Sequence, residues 1–349
     1  MPSVRPARVG RADEPGERRV RLLLRRLRAS RNEPTERRIE DLMGYAAKIL
    51  ADSTNPAGVR LITFEITFPR IVLAEFNTHR VFSRNSASSR AIPTKKLLYR
   101  VLADPFVPEY FGKNQKGMQA RAELSRWRRS LARATWLFAS RLAVALVWLL
   151  SKLDLHKQIS NRLLEPFLWH TVIVTSSEWA NFFALRCHPD AQPEIREIAV
   201  RMRDLERALA HRSKRLVVGE WHLPLVTGLD WTEEVWQPPA SHSYASSGNF
   251  GLLSHDQIAR VSSARCARVS FLTHDGRRSI VDDLALATKL QDAGHMSPFE
   301  HVARAEADTQ FRGNIRGFTQ LRKLLPDEAV FRARNNVSKP PTNRPLRAV

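Results

Sequence analysis

The stretch RLITFEITFPRIVLAEFNTHRVFSRNSASSR, Arg60 to Arg90, decides how this chain is read. Its first part alternates, with Leu61, Thr63, Glu65 and Thr67 against Ile62, Phe64, Ile66 and Phe68. A period of two predicts a strand, and Pro69, which lacks a ladder N–H, ends it. IVLAEFNTHRVFSR then reads as a helix, with Ile71, Val72, Ala74 and Glu75 in its first turns. The remainder turns polar and basic. His79 and Arg80 close the predicted helix, and Ser83, Ser86, Ser88, Ser89 and Arg90 follow. Hydroxyls, free backbone N–H groups and guanidinium forks make a phosphate cradle. The same composition also suits a solvated basic loop, so the stretch alone leaves both readings open.

The chain around it has 349 residues, 43% hydrophobic and 26% charged, enough for one large or two ordinary domains. A net charge of +21 points to polyanionic partners: nucleotides, nucleic acid or an anionic membrane. Two cysteines, Cys187 and Cys266, form no C-x-x-C pair, which excludes a zinc ribbon, a redox pair and a disulfide scaffold. A reducing, cytoplasmic setting is expected. The run ATWLFASRLAVALVWLLS, Ala134 to Ser151, is short for a membrane span and carries Arg141 in its middle. It is read as a buried amphipathic helix, and no membrane partner is expected.

Residues 1–48 form a basic, proline-dotted extension, expected to be poorly ordered, with RRVRLLLRRLRAS as a possible nucleic-acid or membrane arm. A single catalytic domain is expected over 49–330, with a helical insertion at 100–158 and a long loop at 218–255. Residues 331–349 read as a disordered tail. HTVIVTSS is a candidate strand and EWANFFALR a helix. Asp190 is read as the cap of the helix that begins AQPEIR. Ser279 and Asp282 mark the start of a further helix, and Gly294 its end.

Two more constellations carry chemistry. In FFALRCHPDAQPEIR, Arg186 is either an ion-pair partner at a helix end or a fixed cation aimed at a ligand. Cys187 beside His188 is a weak candidate nucleophile, because neighbours in sequence do not make base geometry. In GHMSPFEH, His295, Glu300 and His301 match no zinc-helix spacing, so no metal is expected.

Taken together these segments resemble the flavin-dependent thymidylate synthases, ThyX. That family carries R-H-R-x7-S with a second arginine two residues on, met here by Thr78-His79-Arg80, Ser88 and Arg90. Its LR-x4-AQ-x-EIR segment is met by Leu185-Arg186, Ala191-Gln192 and Glu194-Ile195-Arg196. Its ARVS and GH-x-[ST]-PFEH segments are met by Ala267–Ser270 and Gly294–His301. In the family the last two come first, so this chain looks circularly permuted. A remnant strand and helix at 302–325 is expected to lie beside the sheet that holds 60–68.

The resemblance implies an α+β ThyX-like fold, a central sheet flanked by helices. It implies FAD as redox centre, dUMP as substrate, methylenetetrahydrofolate and NADPH as co-substrates, and a homotetramer with shared sites. Carried over, His79, Arg80, Asn181, Ser270 and His301 contact FAD. Glu75, Ser88, Ser89, Arg90, Arg162 and Arg186 contact dUMP, with Arg186 polarising the pyrimidine. Thr78, Ser86, Ala91 and Ser177 depart from the family's arginine, glutamate, tyrosine and arginine, which implies altered FAD contacts. Two other readings stand beside it: a related enzyme modifying another pyrimidine nucleotide, and a non-catalytic nucleic-acid-binding protein on the same fold.

Overall fold

A computed structural model describes residues 44–117, 119–237, 249–274 and 279–326. The basic extension through residue 43, the middle of the 218–255 segment and the C-terminal tail lie outside these described residues.

The centre is a five-stranded sheet in the order β3-β4-β2-β1-β5. Strand β1 spans Ala46–Thr54, β2 Arg60–Pro69, β3 Ser83–Ser86, β4 Trp169–Ser176 and β5 Lys214–Arg215. Strands β1 to β4 pair antiparallel, and β5 joins β1 in parallel. The alternation in β2 is used on both faces. Ile62, Phe64, Ile66 and Phe68 pack with Val72, Phe76, Val174, Phe182, Ile195 and Ile198. Each such large apolar side chain contributes about 1.5–3 kcal/mol on burial. On the opposite face Leu61 packs with Ala303, Ala305 and Phe318, while Thr63 is fully buried among polar groups.

The helix expected after Pro69 is shorter than its sequence suggests. A 3-10 turn, Arg70–Val72, leads into α1, Leu73–Asn77, and the chain then turns into β3. Thr78 Oγ donates to Glu75 O at 2.7 Å, closing the last turn, and Phe82 is drawn into the aromatic cluster of Phe76, Trp179 and Phe182. The serine-rich segment therefore begins as an edge strand.

The 100–158 region is only partly helical. Helix α2 spans Thr94–Ala103, α3 Arg126–Lys152 and α4 Lys157–Ser160, with residues 105–125 mostly irregular. The expected burial of the apolar run is not found within this chain. Ala143 and Val147 face the core with Trp136 beside them, but Phe138, Leu142 and Trp148 are 68%, 48% and 55% exposed. By length and composition α3 is long and apolar enough to cross a membrane.

Helix α5, Ala180–Arg186, and α6, Pro193–Ala208, follow β4. The cap of α6 is Gln192 rather than Asp190, because Pro193 occupies the first helical position and fixes the start there. The expected long loop contains β6, Trp221–His222, α7, Gly228–Thr232, and the β7–β8 pair, Glu234–Gln237 with Asn249–Leu252. A capping box of Thr227 and Asp230 starts α7. Helix α8, His255–Ala267, and α9, Ile280–Asp292, precede the C-terminal strands. Those are β9, Ala303–Ala305, β10, Phe311–Arg312, β11, Ile315–Arg316, and β12, Phe318–Gln320, followed by α10, Leu321–Leu324.

Strands β12, β9 and β6 form a second sheet. Segment 302–325 lies on the central sheet as expected: Ala303, Ala305, Ile315 and Phe318 cover Val59 and Leu61. Asn55 Nδ2 donates to the carbonyls of Glu306, Asp308 and Gly317 at 2.8–3.0 Å. Gly317 has φ +69°, and a Cβ there would stand 2.6 Å from Asn55 Nδ2, so glycine is what allows this close approach.

Candidate active site

Three motif segments meet around β3, which packs against the 3-10 turns Arg268–Phe271 and Ser297–Glu300. The first group sits where α1 and α5 end. Arg186 Nε donates to His79 Nε2 at 3.0 Å. Arg186 Nη2 donates to Thr78 Oγ at 3.1 Å and to Glu75 O at 3.4 Å. Arg186 is thus fixed by three acceptors from the other motif. Thr78, which replaces an arginine of the family pattern, serves as one of them. Accepting at Nε2 requires the neutral Nδ1–H form of His79. Burial, then the charges of Arg186 and Arg84, push its pKa down to about 4, so the ring is neutral at pH 7. Phe182 packs edge-on against it at 4.9 Å and Phe82 stacks on it at 5.6 Å.

The charge around this ring is one-sided. Arg84 from β3 is held below its ordinary pKa by burial and then by Arg80. Arg80, Arg84 and Arg186 make a cationic surface suited to an anionic ligand. Glu75 Oε2 is buried and has no hydrogen-bond partner among the described residues.

The second group joins two predicted phosphate ligands through a residue the sequence did not flag. Ser89 Oγ donates to Glu165 Oε1 at 2.5 Å, Arg162 reaches the same oxygen at 2.9 Å, and Arg70 at 3.0 Å. A cavity of about 470 Å³ opens beside them, lined by Arg70, Leu73, Ala74, Asn77, Arg162 and Glu165. One carboxylate therefore gathers a hydroxyl and two guanidinium groups at the mouth of a cavity, with donors left over for a phosphate.

Ser88 and Ser270 are also brought together: Ser88 N donates to Ser270 O at 3.0 Å. The turn carrying Ser270 is anchored by a buried ion network. Arg265 pairs with Asp230 and Asp283 at 2.8 Å each, and Arg268 Nη2 lies 2.7 Å from Asp283. Burial lowers the Arg265 pKa, but hydrogen bonds to Asp230 and Asp283 raise it further.

The third group is beneath β3. His301 is fully buried, and its Nδ1 is 2.8 Å from Thr175 Oγ; its Nε2 has no partner among the described residues. Gln320 and Asn314 both donate to Ser83 Oγ at 2.9 Å, tying the C-terminal strands to the edge strand.

Arg80, Arg90 and Asn181 are exposed and lie outside these hydrogen-bonded groups. Near Ser177, where the family pattern has an arginine, Arg316 is supplied from β11. Its backbone N–H donates to Ser177 Oγ at 2.9 Å and its guanidinium pairs with Glu178 at 2.7 Å. Burial pushes the Cys187 thiol up, against a nucleophile's role. No group of three metal-ligating side chains occurs among the described residues.

Two solved structures of a UMP/dUMP methylase, PolB, from Streptomyces cacaoi align with part of this chain. The form bound with 5-Br UMP aligns with a TM-score of 0.40 and 16% identity, over 48% of this chain and 89% of that one. The form bound with 5-Br dUMP aligns with a TM-score of 0.35 and 18% identity, over 44% and 67%. No curated protein sequence matches. The family model for thymidylate synthase complementing protein, Thy1, matches residues 11–210, more than half of the chain, including the His79–Arg90 and Arg186–Arg196 segments. The chain belongs to the thymidylate synthase complementing protein family.

Proposed function

We propose that the chain is a flavin-dependent thymidylate synthase that methylates dUMP to dTMP with methylenetetrahydrofolate and NADPH. One observation carries the reading: Arg186 from one motif is locked onto His79, Thr78 and Glu75 of another, beside a neutral imidazole. Adding a one-carbon unit at C5 of uracil requires negative charge to develop on the ring. A guanidinium already oriented by its neighbours stabilises that charge without reorganising. Arg186 Nη1 is engaged by no described residue and is the donor available to a pyrimidine carbonyl. With the rings of His79 and His301 neutral, neither competes with Arg186 as a cation.

We assign the phosphate of dUMP to Ser88, Ser89, Arg90 and Arg162; the Ser89 hydroxyl gives its one hydrogen to Glu165, so Arg162, beside the cavity, and Arg90 supply the cationic donors. His79, Arg80, Asn181, Ser270 and His301 are assigned to FAD; His79 packs on the Phe82 and Phe182 face of the sheet and His301 under Thr175 on the other, and the support is the buried, unpartnered His301 Nε2, which calls for a ligand's polar atom. When bound, FAD would supply the redox chemistry that reduces the transferred carbon, recharged by NADPH. A homotetramer with shared sites is part of the proposal, with the apolar face of α3 as its contact. A second reading, an enzyme that modifies another pyrimidine nucleotide, is favoured by Glu75. A carboxylate stands where the family uses glutamine, and its Oε2 can accept but not donate.

The test combines colour and turnover. Purified protein is expected to show flavin absorbance and to release tritium from C5-labelled dUMP. Arg186→Ala is expected to lose at least about 100-fold of that release, as when one transition-state donor is removed, while keeping flavin. A colourless protein that cannot be reconstituted would favour the nucleic-acid-binding reading instead. Unchanged release by Arg186→Ala would remove Arg186 from the chemistry.

A further inference from the structure

One oxygen of Glu165 holds three donors at once. Ser89 Oγ lies 2.5 Å from Glu165 Oε1, Arg162 Nη1 2.9 Å and Arg70 Nη2 3.0 Å. A hydroxyl and two guanidinium groups converging on one anionic oxygen are what a phosphate oxygen would receive in the same place. The backbone around them is pinned. Glu165 and Arg162 sit in the 3-10 turn Asn161–Phe167, whose Leu164 is fully buried. Asn161 Nδ2 donates to Ser89 O at 2.7 Å and to Ile92 O at 3.2 Å, so the turn and the serine segment stay in register. The Glu165 side chain has room to turn, because it lines the cavity of about 470 Å³ beside Arg70.

A phosphate cannot engage Ser89 while this arrangement stands. Ser89 Oγ carries one hydrogen, and Glu165 takes it. A phosphate dianion has no hydrogen of its own, so its oxygen against Ser89 Oγ would meet only lone pairs. It would also set two negative charges beside the carboxylate, on the same guanidinium of Arg162. Arg70 gives the carboxylate somewhere to stay. Its Nη1 donates to His170 Nδ1 at 3.0 Å while its Nη2 holds Glu165, and His170 is buried. Arg70 is therefore fixed from behind, and a Glu165 that releases Ser89 and Arg162 keeps a cation.

We infer that Glu165 is a stand-in for the nucleotide phosphate: it holds the donors that the phosphate needs, and the phosphate displaces it from Ser89 and Arg162 while it stays on Arg70. The inference rests on the assignment of the dUMP phosphate to this segment. It makes Glu165 a specificity-determining residue. Only an anion that draws these donors more strongly than a carboxylate does would enter, which selects a phosphate dianion.

The test is calorimetric titration of the full-length protein, as purified, with dUMP, inorganic phosphate and deoxyuridine. Glu165→Gln keeps the shape and removes the charge. It is expected to bind dUMP about tenfold tighter than the parent, because a charge-assisted bond no longer has to be given up. Deoxyuridine, which has no phosphate, should bind both proteins alike. Adding Ser89→Ala to Glu165→Gln should weaken dUMP binding about fivefold, since the released hydroxyl is what the phosphate uses. A carboxylate that only holds Arg162 in place predicts the opposite sign. Equal or weaker dUMP binding by Glu165→Gln would overturn the inference and leave the phosphate assignment standing. An equal gain for deoxyuridine would also overturn it, by placing the effect on the nucleoside. Should Glu165→Gln not fold, a crystal structure of the parent with dUMP decides the matter. Glu165 Oε1 is expected on Arg70 and beyond hydrogen-bond distance of Ser89 Oγ, and a Glu165 still seated on Ser89 overturns the inference. If neither parent nor variant took dUMP or inorganic phosphate, the phosphate assignment itself would fall, and the stand-in with it.

Discussion

The helix α3 and the middle of the central sheet invert the usual expectation. The helix carries a long apolar run, yet Phe138, Trp127 and Trp148 stand in solvent in the single chain. The sheet's middle carries histidine, threonine and serine, yet Thr63, Thr175, His222 and His301 are fully buried. Hydropathy ranks the two regions in the wrong order because it scores residues one at a time. A hydroxyl or a neutral imidazole can be buried when each polar atom finds a partner, and here the partners are supplied across strands. An apolar helix face can remain exposed when the chain alone offers nothing to cover it.

The largest effect that tests this contrast is acid sensitivity. His170, His222 and His301 are each held at about 3 by burial, below an ordinary value of 6.5. Between those values the unfolded chain binds protons that the folded chain refuses. Stability is therefore complete above about pH 6.5 and is lost as pH falls toward 3, by up to about 1.4 kcal/mol per pH unit for each ring. Urea unfolding midpoints at pH 7, 6 and 5 should fall steadily. A flat profile over that range would show that the rings are not buried in neutral form.

A smaller but more local effect concerns the ion network. Asp283 is 0% exposed and accepts from Arg265 and Arg268 at 2.8 Å each. Removing one member of a buried pair leaves the other charge uncompensated. Asp283→Ala should cost about 3 kcal/mol in denaturant unfolding, the low end for such a break because Arg265 keeps Asp230. It should also loosen the turn that presents Ser270 to Ser88. A loss under about 1 kcal/mol would mean that the network is dispensable and that packing of α8 against α9 holds the turn.

How much of this was legible in the sequence depends on the range of each signal. The period of two in β2 was local and readable, as were β4 and the start of α9 at Ser279. The motif segments indicated that His79, Arg186, Ser88 and Ser270 belong to one site, and the structure joins His79 to Arg186 and Ser88 to Ser270. Strand β1 was missed because Ala46, Ala47 and Ala51 give little contrast between faces, and its pairing with β2 supplies the order. Strand β3 reads as the end of a helix in the sequence because Ser83-Arg84-Asn85-Ser86 has no β-branched residue; its partner β4 lies far along the chain. His222 sat in what read as a loop, and its bond to Thr63 spans 159 residues. Glu165 and Arg316 gave no signal for a related reason: their roles depend on which distant groups the topology delivers to them.

The smallest effect on the single chain, and the sharpest on the assembly, belongs to α3. Phe138 and Leu142 are 68% and 48% exposed and lie one helical turn apart, so they share a face. If that face is covered only by another copy, Phe138→Lys with Leu142→Lys should leave the stability of an isolated chain within about 0.5 kcal/mol, as for ordinary surface changes. The same pair should split the oligomer, because two lysines in a desolvated contact find no partner on a helix whose charged residues are Arg126, Arg128, Arg129, Arg133, Arg141 and Lys152. Sedimentation at several concentrations reads the mass, and flavin content read on the same samples shows whether the sites are shared. Loss of mass together with flavin would make the exposed helix part of the buried site's construction. Loss of mass alone would separate assembly from chemistry. A parent that sediments as a monomer and binds anionic vesicles through this face would replace the second copy with a lipid surface.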